Sequence, residues 1–231
     1  MSSSIRLCEV AATVCAKRAR RKESRPGELL AAALELFVEK GFAATRAEEI
    51  AKRAGVSKGT LFLYFASKDE LFKAVVRENI SGRFPEWRAR LESFQGSTDE
   101  LLRVFMTQWW EHVGDTPVSG ITKLMTSEAA NFPELAAFYE SEVIRPGEAL
   151  IRHILERGVA RGEFHPIDIK YGVYTVLAPM LFLAMWKHSF GTHSSGADAL
   201  VPEEYLSVQI ETILYGLGVR TTTPTLKEAH P

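Results

Sequence analysis

Between Pro26 and about residue 82 the apolar positions recur at helical spacing, in four short blocks. Leu30, Ala33, Leu34 and Phe37 form the first stripe, which opens near Pro26, a residue suited to a first helical turn, and stops at Gly41. Thr45 and Glu48 stand at capping-box spacing and predict a second helix, starting within a residue or two and carrying Ala47, Ile50, Ala51 and Ala54. Gly55 ends that run, where a left-handed backbone would strain any residue with a Cβ. Ser57 then serves as N-cap of a third helix, with Leu61 and Phe65 on its apolar seam and Lys58, Thr60 and Tyr64 pointing elsewhere. Ser67 and Glu70 repeat the capping signature and open a fourth helix whose Leu71, Phe72, Val75 and Val76 can pack back onto the first three.

Beyond Arg83 the same period continues in longer segments, predicting helices over 98–112, 118–130, 133–161, 168–189 and 202–217. Asn131-Phe132-Pro133 is a break, Pro146-Gly147 should kink or interrupt the long helix, and residues 191–196 read as a flexible loop. Strand signals are essentially absent. The fold class expected is all-α: an N-terminal three-helix head joined through a fourth helix to a larger helical domain. The boundaries expected are a basic arm at 1–24, the head at 25–72, the larger domain at 73–220 and a tail at 221–231.

Charge divides the chain in the same place. Residues 1–68 carry 13 basic and 7 acidic side chains, whereas the remainder carries 15 and 22, so a net charge of −1 conceals a basic end and an acidic body. A polyanion should therefore meet the N-terminal end alone. Lys17, Arg18, Arg20, Arg21 and Lys22 are either a solvated tail or an arm laid along DNA. Cys8 and Cys15 lack metal-ligand spacing and suit free thiols. The apolar residues 10–16 precede the basic cluster, the wrong order for export, and residues 171–186 look like a buried core helix rather than a membrane span. A cytoplasmic location with no membrane partner is expected.

Residues 47–65 fit a helix-turn-helix, although an ordinary helical corner gives the same periodicity. A second helix with a basic, hydroxyl-bearing outer face suits a DNA major groove, because lysine neutralises phosphate and hydroxyls bond phosphate or base edges. The run Gly41-Phe42, Thr45, Ile50-Ala51, Ala54-Gly55-Val56-Ser57, Gly59-Thr60-Leu61, Tyr64-Phe65, Ser67-Lys68 closely resembles the N-terminal domain of TetR-family transcriptional regulators.

That resemblance implies a homodimeric, all-α repressor that binds a double-stranded, palindromic operator and carries a C-terminal small-molecule site. Carried over by position, it places Ser57, Lys58, Gly59 and Thr60 at the start of the recognition helix, against base edges and phosphates. Tyr64 would bond a phosphate, and Lys68 would meet one at the amino end of the fourth helix. Two positions depart from the family. Arg46 and Ala47 stand where small hydroxyl residues are frequent, so Arg46 would have to supply charge instead. Phe62 replaces a frequent tyrosine and can only pack, for example on a thymine methyl, while Leu63 faces the groove or the domain surface.

In the C-terminal part, Phe105, Trp109, Trp110, Met125 and Tyr139 could line an apolar cavity with Tyr174, Met180, Leu181, Met185 and Trp186, which favours an apolar or aromatic effector; taken singly, each is read first as ordinary core packing. Leu206, Ile210, Ile213, Leu214 and Leu217 form a stripe at three- and four-residue spacing, assigned here to a homodimer interface that also involves the helix over 171–186. The six histidines show no ligand spacing, and no nucleophile or phosphate-loop motif is present, so no catalytic residue, metal or cofactor is expected. Two other readings remain open: a helical ligand-binding or catalytic protein whose helix-turn-helix is structural, and a DNA-binding dimer without an effector.

Overall fold

A computed structural model describes residues 25–196 and 199–218, so the expected basic arm and C-terminal tail lie outside the described residues. The chain forms α1 (25–40), α2 (Ala47–Arg53), α3 (Lys58–Tyr64), α4 (Lys68–Asn79), α5 (Phe84–Ser93), α6 (Thr98–Trp109), α7 (Ser119–Glu128), α8 (Pro133–Tyr139), α9 (Arg145–Ala160), α10 (Ile169–Lys187) and α11 (Pro202–Leu217). Among the described residues the only β pairing is an isolated bridge between Phe164 and Gly218.

Two compact units emerge, and their sequence composition differs from the expected boundaries. One contains the described residues up to Gly82 together with Gly120–Tyr139; the other contains Arg83–Ser119 and the chain from Glu140 onward.

In the first unit α1 buries Leu29, Ala33, Leu36 and Phe37, whereas Leu30 and Leu34 are half-buried, so the inward stripe is rotated slightly from the expected one. Gly41, at φ +83°, turns the chain out of α1. Phe42 then stacks near Phe37 at 5.6 Å and meets Phe72 of α4 and Phe132 edge-on at 5.5 and 4.9 Å. The cap of α2 falls one residue later than expected. Thr45 turns its hydroxyl inward to donate to the carbonyls of Leu36 and Gly41, leaving Arg46 as N-cap with its N–H bonded to Glu49 at 3.3 Å. At the other end Gly55 has φ +67°, and the N–H groups of Gly55 and Val56 return to the carbonyls of Lys52 and Ala51, which satisfies two terminal acceptors. Ser57 and Ser67 cap α3 and α4 as expected, accepting the N–H of Thr60 and Glu70 at 3.1 Å.

The second unit has its own core of Leu102, Met106, Trp110, Ile151, Ile154, Val176, Met180, Leu183, Ile210 and Ile213, contributed by α6 and the turn that follows it, α9, α10 and α11. Sequence reasoning missed α5, whose Phe84, Trp87 and Leu91 recur at helical spacing. The break expected at Pro146 is expressed one turn earlier: a π-helical turn over Glu140–Ile144 precedes α9, whose first turn accommodates the proline that lacks an N–H. A second π-helical turn, Trp110–Gly114, extends α6; a side chain at Gly114 would collide with the Trp110 ring.

Two site assignments change at this level. Leu206, Ile210, Ile213, Leu214 and Leu217 are all buried in this chain's own core, so the stripe assigned to a dimer interface is intramolecular packing. The apolar face that α11 exposes carries Val208 and Tyr215, and that of α10 carries Tyr171, Tyr174, Leu181 and Phe182. Tyr174 and Leu181 therefore look outward rather than into a cavity. Finally, α10 spans 19 residues at a mean hydropathy of 1.4, long and apolar enough to cross a membrane by length and composition; here Val173, Val176, Met180 and Leu183 bury one of its faces in the core.

Candidate functional site

Helix α3 presents Lys58, Gly59, Phe62 and Leu63 on one exposed face, because positions one turn apart share a side of a helix. Leu61 points the other way and is fully buried, anchoring the helix. Leu63 is 83% exposed, an apolar side chain that contributes nothing to this unit's core and is available for contact with a partner such as a base methyl group. Ser57 and Thr60 sit at the amino end, their hydroxyls 2.9 Å apart. Tyr64 is half-buried on the last turn. Arg46 is exposed at the start of α2. One residue expected on the reading face is placed elsewhere.

That residue is Lys68. Its ammonium is turned inward, donating to the carbonyls of Phe42 at 2.7 Å and Thr45 at 3.0 Å, and it lies 4.2 Å from the centroid of the Phe42 ring. Burial holds its pKa below that of free lysine, against the opposing pull of Asp69 and Glu128. In this structure Lys68 braces the α1–α2 turn from inside instead of projecting from the amino end of α4.

The reading face also carries a carboxylate. Lys58 pairs with Glu48 of α2 at 2.5 Å, and its ammonium lies 5.8 Å from the Phe62 ring. That hydrogen bond is the main reason the Glu48 pKa is lowered. Neighbouring Glu49 is lowered in the same way by Lys40, 2.8 Å away. Arg53 bridges Glu35 and Glu39 at 2.8 and 3.3 Å, tying the end of α2 to α1.

In the second unit a cavity of about 400 Å³ lies between α5 and α6. Its walls are Trp87, Leu91 and Phe94 on one side and Leu101, Phe105 and Trp109 on the other, with Arg90, Gln95 and Gln108 at the polar rim. Arg90 pairs with Glu86 at 2.7 Å. Of the ten ligand-site candidates, only Phe105 and Trp109 line this cavity. Trp110 and Met180 belong to the core, and Trp110 donates its indole N–H to Glu203 at 3.2 Å. Met125 and Tyr139 lie in the other unit; Tyr139 is buried, bonded to Thr122 at 3.3 Å, and its pKa is raised by desolvation. Met185 and Trp186 are half-buried on α10, where Trp186 joins a run of rings with Phe182 and Phe190. Trp87 and Phe94 were missed along with α5 itself. A groove of about 450 Å³ between α6 and α11 is lined by Arg103, Trp110, Glu111, Glu203, Leu206 and Ile210. Among the described residues no cluster of His, Cys, Asp and Glu could hold a metal ion.

Residues 29–75 match the bacterial regulatory proteins of the tetR family, and residues 95–201 match the tetracyclin repressor-like C-terminal domain. The transcriptional repressor KstR2 of Mycobacterium tuberculosis is 34% identical over 154 residues, which cover 64% of this chain and 74% of that protein. The chain belongs to the TetR family. It is accordingly a helix-turn-helix, DNA-binding transcriptional regulator. The transcriptional activator FasR of Mycolicibacterium smegmatis is 48% identical over 118 residues, 50% of this chain and about half (52%) of that protein. In fold, FadR of Bacillus subtilis, solved in complex with stearoyl-CoA, superposes with a TM-score of 0.69 at 18% identity, covering 82% of this chain and 98% of that one.

Proposed function

We propose that this chain is a homodimeric repressor whose two α3 helices read a palindromic operator, and that it releases the operator when an apolar or aromatic ligand occupies the cavity between α5 and α6. The observation that carries the effector reading is that cavity: about 400 Å³, walled by four aromatic rings and two leucines, with a cation and two amides at its rim. Its size lies in the range of small-molecule sites, and its chemistry suits an apolar body with a polar end. An acyl chain or a fused ring system has that form, and the FadR fold relative was solved with stearoyl-CoA. The reading face proposed for DNA is Arg46, Ser57, Lys58, Gly59, Thr60, Phe62, Leu63 and Tyr64.

The dimer surface proposed is the outward face of α10 and α11, with Tyr171, Leu181 and Phe182 on one helix and Val208 and Tyr215 on the other. An exposed apolar face of that extent suits a self-complementary interface between identical chains. Coupling follows from linkage: a ligand that favours the arrangement unable to engage both half-sites must weaken operator binding by the factor with which operator weakens the ligand.

The test begins with selection of bound duplexes from random DNA, followed by titration of the protein with fatty acyl-CoA and polycyclic probes while tryptophan fluorescence is recorded. Trp87 and Trp109 report directly from the cavity wall. A probe that fits should change their emission and release the selected duplex, and both effects should weaken in Trp109→Ala. Ligand-induced release that persists unchanged in Trp109→Ala and Phe105→Ala would move the effector site elsewhere.

A further inference from the structure

The turn between α1 and α2 is held by a residue 86 positions away. Glu128, the last residue of α7, accepts the N–H of Phe42 through Oε1 at 2.9 Å and the N–H of Ala43 through Oε2 at 3.0 Å. Two successive amides pointing at one carboxylate make a small anion-binding concavity. Gly41 completes it: its positive φ turns the amides inward, and a Cβ there would collide with the Glu128 carboxylate. On the other side the carbonyls of the same turn accept from Lys68, and Phe132, four residues past Glu128, packs edge-on against Phe42. The turn leads directly into Arg46 and α2, so its orientation sets where the helix-turn-helix begins.

We propose that Glu128 is a positioning residue for DNA binding: its carboxylate fixes the α1–α2 turn, and with it the angle at which α2 and α3 are offered to the major groove. Glu128 itself lies outside the reading face. The proposal rests on the DNA-reading role of α3, and it adds the α1–α2 turn to the parts of the head that decide how α3 is presented.

The sign of the effect separates positioning from simple electrostatics. Removing a carboxylate from a protein that binds a polyanion should tighten binding to any duplex. Removing a positioning contact should weaken binding to the preferred duplex alone. Two full-length variants divide the possibilities: Glu128→Gln keeps the shape and removes the charge, and Glu128→Asp keeps the charge and shortens the reach. Each is titrated against the duplex that the wild-type chain selects from random DNA and against a scrambled duplex of equal length, at several salt concentrations. Amide exchange at Phe42 and Ala43 is followed in parallel.

Both variants should lose roughly three- to thirty-fold in affinity for the selected duplex, hold their affinity for the scrambled one and keep the wild-type salt slope. The Phe42 and Ala43 amides should exchange faster while the chain remains folded. Faster exchange with unchanged selected-duplex affinity would overturn the proposal. So would tighter binding of both duplexes by Glu128→Gln with Glu128→Asp behaving as wild type. Failure of the wild-type chain to select any duplex would instead defeat the DNA-reading role beneath it.

Discussion

Replacing Lys68 by methionine separates its internal role from a phosphate-binding one. The substitution keeps most of the apolar stem and removes the ammonium, leaving the carbonyls of Phe42 and Thr45 without the donor now 2.7 and 3.0 Å away. Hydrogen bonds from a charged donor contribute about 1.5–3 kcal/mol each. The desolvation that lowers the Lys68 pKa offsets part of that, and so does the solvent that still reaches the side chain. A net loss of about 2 kcal/mol remains, which for a chain of this size lowers Tm by about 4–8 °C. Scanning calorimetry measures the shift. A second measurement is the slope of log affinity against log salt for the selected duplex, which a lost phosphate contact would make shallower by about 0.9. We expect a lower Tm and an unchanged slope. An unchanged Tm with a slope shallower by that amount would show that Lys68 leaves the turn to bind phosphate, and the internal account would be wrong.

Three further predictions follow from particular contacts. Glu48→Gln frees Lys58 from its 2.5 Å partner, so affinity for a scrambled duplex should rise and the salt slope steepen by up to about 0.9; filter binding across a salt series would expose the error if neither changed. Glu163 accepts the N–H of Thr98 at the start of α6 at 2.9 Å, and its pKa is lowered chiefly by bonding to Thr98. With the folded pKa below the ordinary 4.5, that stabilisation is complete above 4.5 and is lost as pH falls through the folded value. Acid unfolding followed by circular dichroism should therefore have a shallower acid limb in Glu163→Gln, and superimposable limbs would remove Glu163 from the account. On α11, Tyr215→Glu should give folded monomers in sedimentation with weakened operator binding, whereas Ile213→Glu should unfold the chain, because Tyr215 is 75% exposed and Ile213 is buried. A dimeric Tyr215→Glu would place the interface elsewhere.

The helix-turn-helix was legible because its signals are local. Gly55 needs a positive φ, Ser57 and Ser67 need only an amide three residues on, and Leu61 needs one neighbour within its own head. The start of α2 falls within the margin its signature allowed, but Thr45 spends its hydroxyl on two carbonyls, so the cap is Arg46, one residue on. The reading of α11 failed. Period shows that Leu206 and Ile210 lie on one face, but not whether that face meets the same chain or another, and the exposed Val208 and Tyr215 form a shorter stripe on the opposite side. Helix α5 is harder to see in the sequence because Glu86, Arg88, Arg90 and Glu92 alternate with its apolar positions, although Phe84, Trp87 and Leu91 hold helical spacing. Losing α5 also lost half of the cavity wall. Glu128 carried no sequence signal as a partner of Phe42 and Ala43, since no spacing rule reaches across 86 residues.

The chain leaves the unit that contains α3 after Gly82, re-enters it at Gly120 and leaves again after Tyr139. A reading head of this kind is not a cassette. A chimera joined at residue 82 would move α1 through α4 to a new body without the strand of sequence that carries Glu128 and Phe132, and would inherit whatever the recipient supplies in their place. Exchange of DNA specificity between regulators built this way should succeed when residues 120–139 travel with the head, or when recognition residues are grafted singly onto α3. Divergence of operator preference would then be easiest by point substitution on the exposed face of α3, and recombination at the apparent domain border would be the harder route.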